Sequence, residues 1–160
     1  MSNSNLLDAI RVVKENEMLA FTSYSYAVQQ INDSLGKMLF EQLAEFEKFH
    51  YEQLTSLVIS LEKKDDFIEY EGKEFPLPPV FEIKAAQEPG TKSIISIVSE
   101  AIGLEKQAEK AYADLAGQIT DPKGHQMFRR LSEEEHKHFR LLTDAYWSLN
   151  NLGVWKWSYP

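Results

Sequence analysis

Residues 17–61 of this chain align with residues 105–149 without a gap, at an offset of 88, and sixteen of the 45 pairs are identical. The pairs include Glu17/Glu105, Ala20/Ala108, Tyr24/Tyr112, Gly36/Gly124, Phe40/Phe128, Leu43/Leu131, Glu47/Glu135, His50/His138 and Leu54/Leu142. A chain that writes one unit twice folds as two copies of one supersecondary element, and neither copy buries its apolar face alone. The connection between the copies falls near residues 62–92.

Each unit reads as a helical hairpin. In the first, Leu6, Ile10, Val13, Glu17, Ala20, Tyr24, Ala27 and Ile31 follow steps of four and three, which place them on one helix face. Asn32, Asp33 and Ser34 break the pattern, and Asp33 or Ser34 is suited to cap the next helix. That helix carries Leu43, Glu47, His50, Leu54, Leu57 and Leu61 on one face. In the second unit the stripe is Ile94, Val98, Ala101, Glu105, Ala108, Tyr112, Leu115 and Ile119, the turn is Thr120–Pro122, and Pro122 is placed to open a helix. Phe128, Leu131, Glu135, His138, Leu142, Ala145 and Leu149 then complete the last face. The hairpins are expected over about 6–61 and 93–150.

The segment 62–92 holds Gly72, Pro76, Pro78, Pro79, Pro89 and Gly90, so no continuous helix crosses it. So long a connection in a compact chain needs a reason. About 30 extended residues reach up to roughly 100 Å, whereas a helix of about 30 residues is roughly 45 Å long. The segment can therefore return along the whole bundle. The expected fold is all-α, a ferritin-like four-helix bundle with a long crossover between helices 2 and 3. It spans 1–160 as one domain, with a short helix at Ile83–Gln87 and an aromatic tail at 151–160.

The position of six ionisable residues carries the functional argument. Glu17, Glu47, His50, Glu105, Glu135 and His138 all lie in the apolar stripes, so they point into the bundle. An unpaired buried carboxylate costs several kcal/mol. Four together repel and hold protons. Two divalent cations cancel four carboxylates, and neutral imidazoles complete the coordination. The heights agree, since Glu17 lies about 15 residues before its turn and Glu47 about 14 after it, roughly 20–24 Å from the turn in each case. Glu105 and Glu135 stand in the same relation to Asp121–Pro122. One Glu from each of two helices, with Glu-x-x-His from each of the others, is the two-metal carboxylate pattern. Oxygen-rich ligands with some imidazole suit two Fe ions, with Mn or Zn as substitutes. The bland alternative is a bundle that keeps the residues but holds no metal.

Composition removes other classes. With no cysteine, disulfides, thiolate zinc and iron–sulfur clusters are excluded. A net charge of −8 and the lack of a basic cluster make nucleic acid and acidic membranes poor partners. The polar start Met1–Asn5 lacks signal-peptide character, and a cytoplasmic location is expected.

The stretches "NEMLAFTSYSYA", "LAEFEKFHYEQL", "GLEKQAEKAYADLA" and "LSEEEHKHFRLL" resemble, in order, the four helix motifs of the rubrerythrin branch of the ferritin-like superfamily. The resemblance covers most of residues 6–150 and includes all six ligand positions. It implies a di-iron centre, oxidation by peroxide or dioxygen, and frequently a dimer. Full rubrerythrins also carry a cysteine-liganded electron-transfer domain. Here there is no cysteine, so an external electron donor protein is implied. Where those proteins have a further glutamate three residues after the third-helix ligand, this chain has Ala108. Glu109, one residue on, turns away by about 100°.

Other residues read as follows. Glu45, Glu133, His125 and His136 fall off the inward stripes and are expected in solvent, and Glu15 is a rival to Glu17 as ligand that the repeat and the stripe both reject. Glu100 and Glu109 lie off the core stripe, with support of the site from behind left open for Glu109. Met18, Met38 and Met127 are expected to pack or to lie at the surface. Tyr24 and Tyr112 either pack with a bonded hydroxyl, or hydrogen-bond a metal ligand or take a redox-active role. Trp147, Trp155, Trp157 and Tyr159 crowd the end of the chain, so the tail is expected to fold back or to pack on a second subunit as a homodimer. Three functions follow: a di-iron oxidoreductase acting on peroxide or dioxygen, a ferroxidase or iron-storage protein, and a structural module with a vestigial site.

Overall fold

The computed structural model describes residues 3–75 and 88–157. Four helices account for most of them: α1 (Asn3–Gln30), α2 (Ser34–Lys64), α3 (Thr91–Gln118) and α4 (Pro122–Leu152). The repeat reappears as matched lengths, 28 and 31 residues in each hairpin. Both hairpin turns use the same device. Asp33 accepts from the backbone N–H groups of Leu35 and Gly36, and Asp121 does so from Lys123 and Gly124. Each aspartate satisfies donors that a helix start leaves free. Pro122, which lacks an N–H, opens α4 where none is needed.

The helices overrun the expected boundaries by a few residues. α2 continues to Lys64 and ends on Asp65 in the left-handed region, at φ 53°. α4 continues to Leu152 and stops at Gly153, at φ 69°. The expected tail 151–160 thus begins inside the helix. The short helix expected at Ile83–Gln87, the prolines at 76, 78 and 79, and Tyr159 lie outside the described residues.

α1 packs on α2, α3 packs on α4, and α1 meets α3 more sparingly. The described part of the crossover lies against α2 and α4. Phe67 sits over Gly124, where a Cβ would strike its ring. Tyr70 packs on Phe49, and Phe75 stacks on Phe46 with ring centres 5.7 Å apart. Among the described residues, one seam of the bundle is therefore closed by chain and the opposite seam, between α1 and α3, is not.

Apolar packing forms two blocks. One gathers Tyr24, Leu39, Phe40, Leu43, Phe46, Leu141 and Leu142 near the hairpin turn of α1 and α2. The other gathers Ile10, Leu54, Leu57, Tyr112, Phe128 and Leu131. A polar layer lies between them at mid-height. Among the described residues no helix is long and apolar enough to cross a membrane.

Candidate metal centre

The six residues singled out from the stripes meet in that polar layer. α1 contributes Glu17, α2 contributes Glu47 and His50, α3 contributes Glu105, and α4 contributes Glu135 and His138. None is more than 2% exposed. His50 Nδ1 lies 3.7, 3.6 and 2.9 Å from carboxylate oxygens of Glu17, Glu47 and Glu135. His138 Nδ1 lies 3.5, 3.6 and 3.9 Å from those of Glu47, Glu105 and Glu135. Two sets of donor atoms result, each within 4.8 Å of one another: Glu17, Glu47, His50 and Glu135, and Glu47, Glu105, Glu135 and His138. Glu47 and Glu135 belong to both.

The donor set fits a pair of cations. Among the described residues, the buried side-chain atoms without a hydrogen-bond partner are Glu17 Oε2, both oxygens of Glu47, His50 Nδ1, Glu105 Oε2, Glu135 Oε1 and His138 Nδ1. All belong to these six residues and all face one small volume. Buried polar groups of a folded protein are otherwise paired, and an unpaired one costs on the order of 1–3 kcal/mol. Carboxylates and imidazoles are the ligands of Fe, Mn and Zn.

Comparison with known proteins bears on the fold. Neither a protein-family model nor a curated protein matches the sequence. Among solved structures, a two-domain protein from Anabaena variabilis with DJ-1/ThiJ/PfpI-like and ferritin-like domains superposes with a TM-score of 0.70 at 15% identity. That match covers 96% of this chain, which spans only 39% of the longer protein. A dodecameric thioferritin, the bacterioferritin-related protein of Bacteroides fragilis, superposes with a TM-score of 0.65 at 19% identity, covering 92% of this chain and 87% of that one. The fold is ferritin-like.

Within this ferritin-like bundle, protonation follows from burial. Burial pushes the Glu47 and Glu135 carboxyls well above the usual range, and Glu105, with Glu17 and each other, adds repulsion. Glu105 lies at about 2 despite its burial, because the adjacent Glu135, His138 and Glu47 groups stabilise its charge. His50 is held well above its ordinary value although burial opposes it, because Glu134, Glu135, Glu17 and Glu47 surround it. In the metal-free protein, then, the layer keeps protons where cations would sit.

A pH dependence follows. The unfolded chain releases the Glu47 and Glu135 protons near 4.5, whereas the fold holds them to higher pH. Their stabilisation is complete below pH 4.5 and is lost as pH rises through the folded values. His50 acts in the same direction above its ordinary 6.5. Glu105 and Glu134, both at about 2, act oppositely and lose their contribution as pH falls below 4.5. The metal-free protein is expected to melt at progressively lower temperature from pH 5 to pH 8. Circular dichroism melts with chelator present read this directly, and a rising melting temperature over that interval contradicts it.

The layer is held from behind. Tyr24 on α1 donates to Glu105 on α3 at 2.9 Å, and Tyr112 on α3 donates to Glu17 on α1. The two bonds cross between the hairpins and repeat the internal symmetry. Burial and the nearby carboxylates push both phenols up, so they remain protonated donors. Phe46 and Phe75 stand 4.5 and 5.6 Å from the His138 ring and keep that side apolar.

Glu134 is a further buried carboxylate at the layer that the stripe pattern does not select. It is 2% exposed and contacts His50 Nε2 at 3.0 Å. Tyr70 Oη at 2.5 Å, the Lys73 N–H at 2.9 Å and Arg130 Nε at 3.2 Å donate to it. This carboxylate fixes His50 with Nε2 protonated and Nδ1 turned to the layer. Such partners are worth about 10–100-fold in metal affinity. Glu134→Gln is therefore expected to weaken metal binding by about that factor, with the helical content unchanged. Competition against a chromophoric chelator measures it. One signal in the sequence marked the position: its repeat partner is Phe46, a core aromatic.

The remaining side chains lie as expected, with one correction. Glu15, Glu45, Glu100, Glu133, His125 and His136 are exposed. Met127 is buried, while Met18 and Met38 are half-buried. Glu109 does not support the site: it pairs with His136 at 3.0 Å on the outer face of the hairpin, where its 100° rotation from the stripe puts it.

Proposed function

We propose that this chain is a non-haem di-iron oxidoreductase that reduces hydrogen peroxide or dioxygen, as the resemblance to rubrerythrins suggests. The observation that carries the reading is the sharing of Glu47 and Glu135 by two buried donor sets whose unpartnered atoms face one another. Glu17 and His50 would hold one ion, Glu105 and His138 the other, and Glu47 and Glu135 would span both. The pair of ions supplies oxidant binding and electrons. The chain supplies the rest. Tyr24 and Tyr112 orient the outer carboxylates, Glu134 orients His50, and Phe46 and Phe75 exclude water from the His138 side. On the same resemblance, an external donor protein would supply the electrons.

The test is rapid mixing of the Fe(II)-loaded protein with hydrogen peroxide. Oxidation much faster than that of free Fe(II) is expected, and an equal rate counts against the reading. Metal analysis after purification without chelator is expected to give two ions per chain. Far less would favour a structural module with a vestigial site.

A second reading, ferroxidase or iron storage, draws on the thioferritin neighbour, which is dodecameric. Storage needs a hollow shell, so particle size separates the readings. We propose a homodimer, built on apolar side chains left outside, such as Tyr26 (61% exposed), Trp147 (59%) and Leu152 (53%). Sedimentation as a monomer overturns the dimer, and a twelve-subunit particle moves the balance to storage.

A further inference from the structure

The seam between α1 and α3 opens into a cavity of about 230 Å³ that ends on the carboxylates of Glu17, Glu47 and Glu135. Its origin is legible. Ala20 and Ala108 occupy matched repeat positions three residues after Glu17 and Glu105, and Ala111 lies one helical turn beyond Ala108. Small side chains on both helices at the level of the layer leave space that longer ones would fill. Leu19 and Leu104 form the apolar mouth, and the Tyr24 and Tyr112 side chains flank the floor.

The size and the lining point to a ligand class. Water occupies about 30 Å³ per molecule, and an apolar cavity of about 150 Å³ holds a benzene ring. A cavity of 230 Å³ is several times what a peroxide or dioxygen molecule needs. No Lys, Arg or His lines it among the described residues. A charged molecule would find no cationic partner there and would lose its hydration against a mostly apolar lining that includes Val13, Leu19, Ala20, Leu104 and Ala111, with Asn16 and Gln107 as the neutral polar groups. An apolar molecule would instead remove its own surface and that of these walls from water, which favours binding.

We propose that this cavity is a binding site for a compact, uncharged, apolar organic molecule about the size of one substituted aromatic ring, seated against the carboxylate layer. The site stands on the cavity itself. It rests on the di-iron reading only for what the bound molecule faces.

Fluorobenzene is the probe, with 4-fluorobenzoate as its charged counterpart, each titrated into the full chain and followed by fluorine NMR. The metal-free and Fe(II)-loaded proteins are titrated separately, with metal content measured on the same samples. Saturable fluorobenzene binding is expected in both, with no saturation of the metal-free protein by 4-fluorobenzoate. Ala108→Leu is expected to weaken fluorobenzene binding at least tenfold while helicity and metal content stay unchanged. Ala111→Leu serves the same purpose should Ala108→Leu fail to fold. Unchanged affinity in a folded variant, equal binding of the benzoate by the metal-free protein, or no saturation by fluorobenzene overturns the proposal. Failure of fluorobenzene to bind a native dimer, with binding gained in a monomeric Leu19→Glu variant, assigns the seam to a second copy and also overturns it. Binding by a chain that takes up no metal sustains the cavity and defeats only the di-iron reading.

Discussion

Glu135→Gln is expected to take the chain from two bound ions to fewer than one under conditions that saturate the native protein. Glu135 belongs to both donor sets, so one substitution removes an anionic oxygen donor from each position. Glu105→Gln removes a donor from one set alone and is expected to leave about one ion bound. The contrast between these variants matters more than either loss. An amide keeps the shape of the carboxylate but not its charge, so packing is preserved while the cations lose neutralisation. The metal-free Glu135→Gln protein is expected to be at least as stable as the native metal-free protein, since one buried acid no longer needs a proton. Metal analysis of both variants after dialysis against equal free Fe(II), with parallel melts, decides the matter. Loss of both ions in Glu105→Gln, with both retained in Glu135→Gln, would show that the shared carboxylates were misassigned.

That experiment probes the part of the molecule most open to reading from the sequence. The repeat and the steps of three and four place Glu17, Glu47, His50, Glu105, Glu135 and His138 inside, and helix periodicity is a local property. Asp33, Asp121 and Pro122 are similarly local, because a cap acts on the next few N–H groups. What periodicity does not carry is contact made at long range. Glu134 meets His50 across 84 positions, and Tyr70 reaches Glu134 from a crossover with no periodic pattern. Glu88 is another such case. It is 3% exposed and looks like a loop acid, yet it accepts from the backbone of Asn32 at 2.6 Å and Asp33 at 2.8 Å. The tyrosines fall between these extremes. Their stripe position fixed that they were inside, but the crossed bonds to Glu105 and Glu17 needed the α1/α3 register.

Trp155→Ala is expected to destabilise the protein by about 3–5 kcal/mol, the range for a buried large aromatic. For a chain of this size that lowers the melting temperature by on the order of 10 °C. Trp155 is fully buried, although the chain has already left α4 at Gly153. Its ring lies on Gly36, where a Cβ would strike it, and meets the edge of Phe40 at 6.2 Å. Gly36 and Gly124 are repeat partners, and each is the seat of an aromatic from outside its hairpin, Trp155 on one and Phe67 on the other. The indole N–H also donates to Glu88 at 3.3 Å, while the Glu88 N–H donates to the Gly153 carbonyl at 3.1 Å. One side chain thus ties the chain end, the end of the crossover and the α1–α2 turn together. Truncating it opens a cavity and leaves a buried carboxylate short of a donor. Trp147→Ala, at an exposed position of the same helix end, is the control and is expected to change stability by no more than about 0.5 kcal/mol. The carboxylate layer lies at mid-height, about three to four helical turns from Gly36 along α2, so folded Trp155→Ala protein should still take up metal normally. A loss of stability below 1 kcal/mol would mean that the tail rests on the bundle without closing it. A loss of metal at temperatures where the variant is folded would mean that the two ends of the bundle are coupled through Phe40 and Tyr24, whose rings are in contact at 5.7 Å.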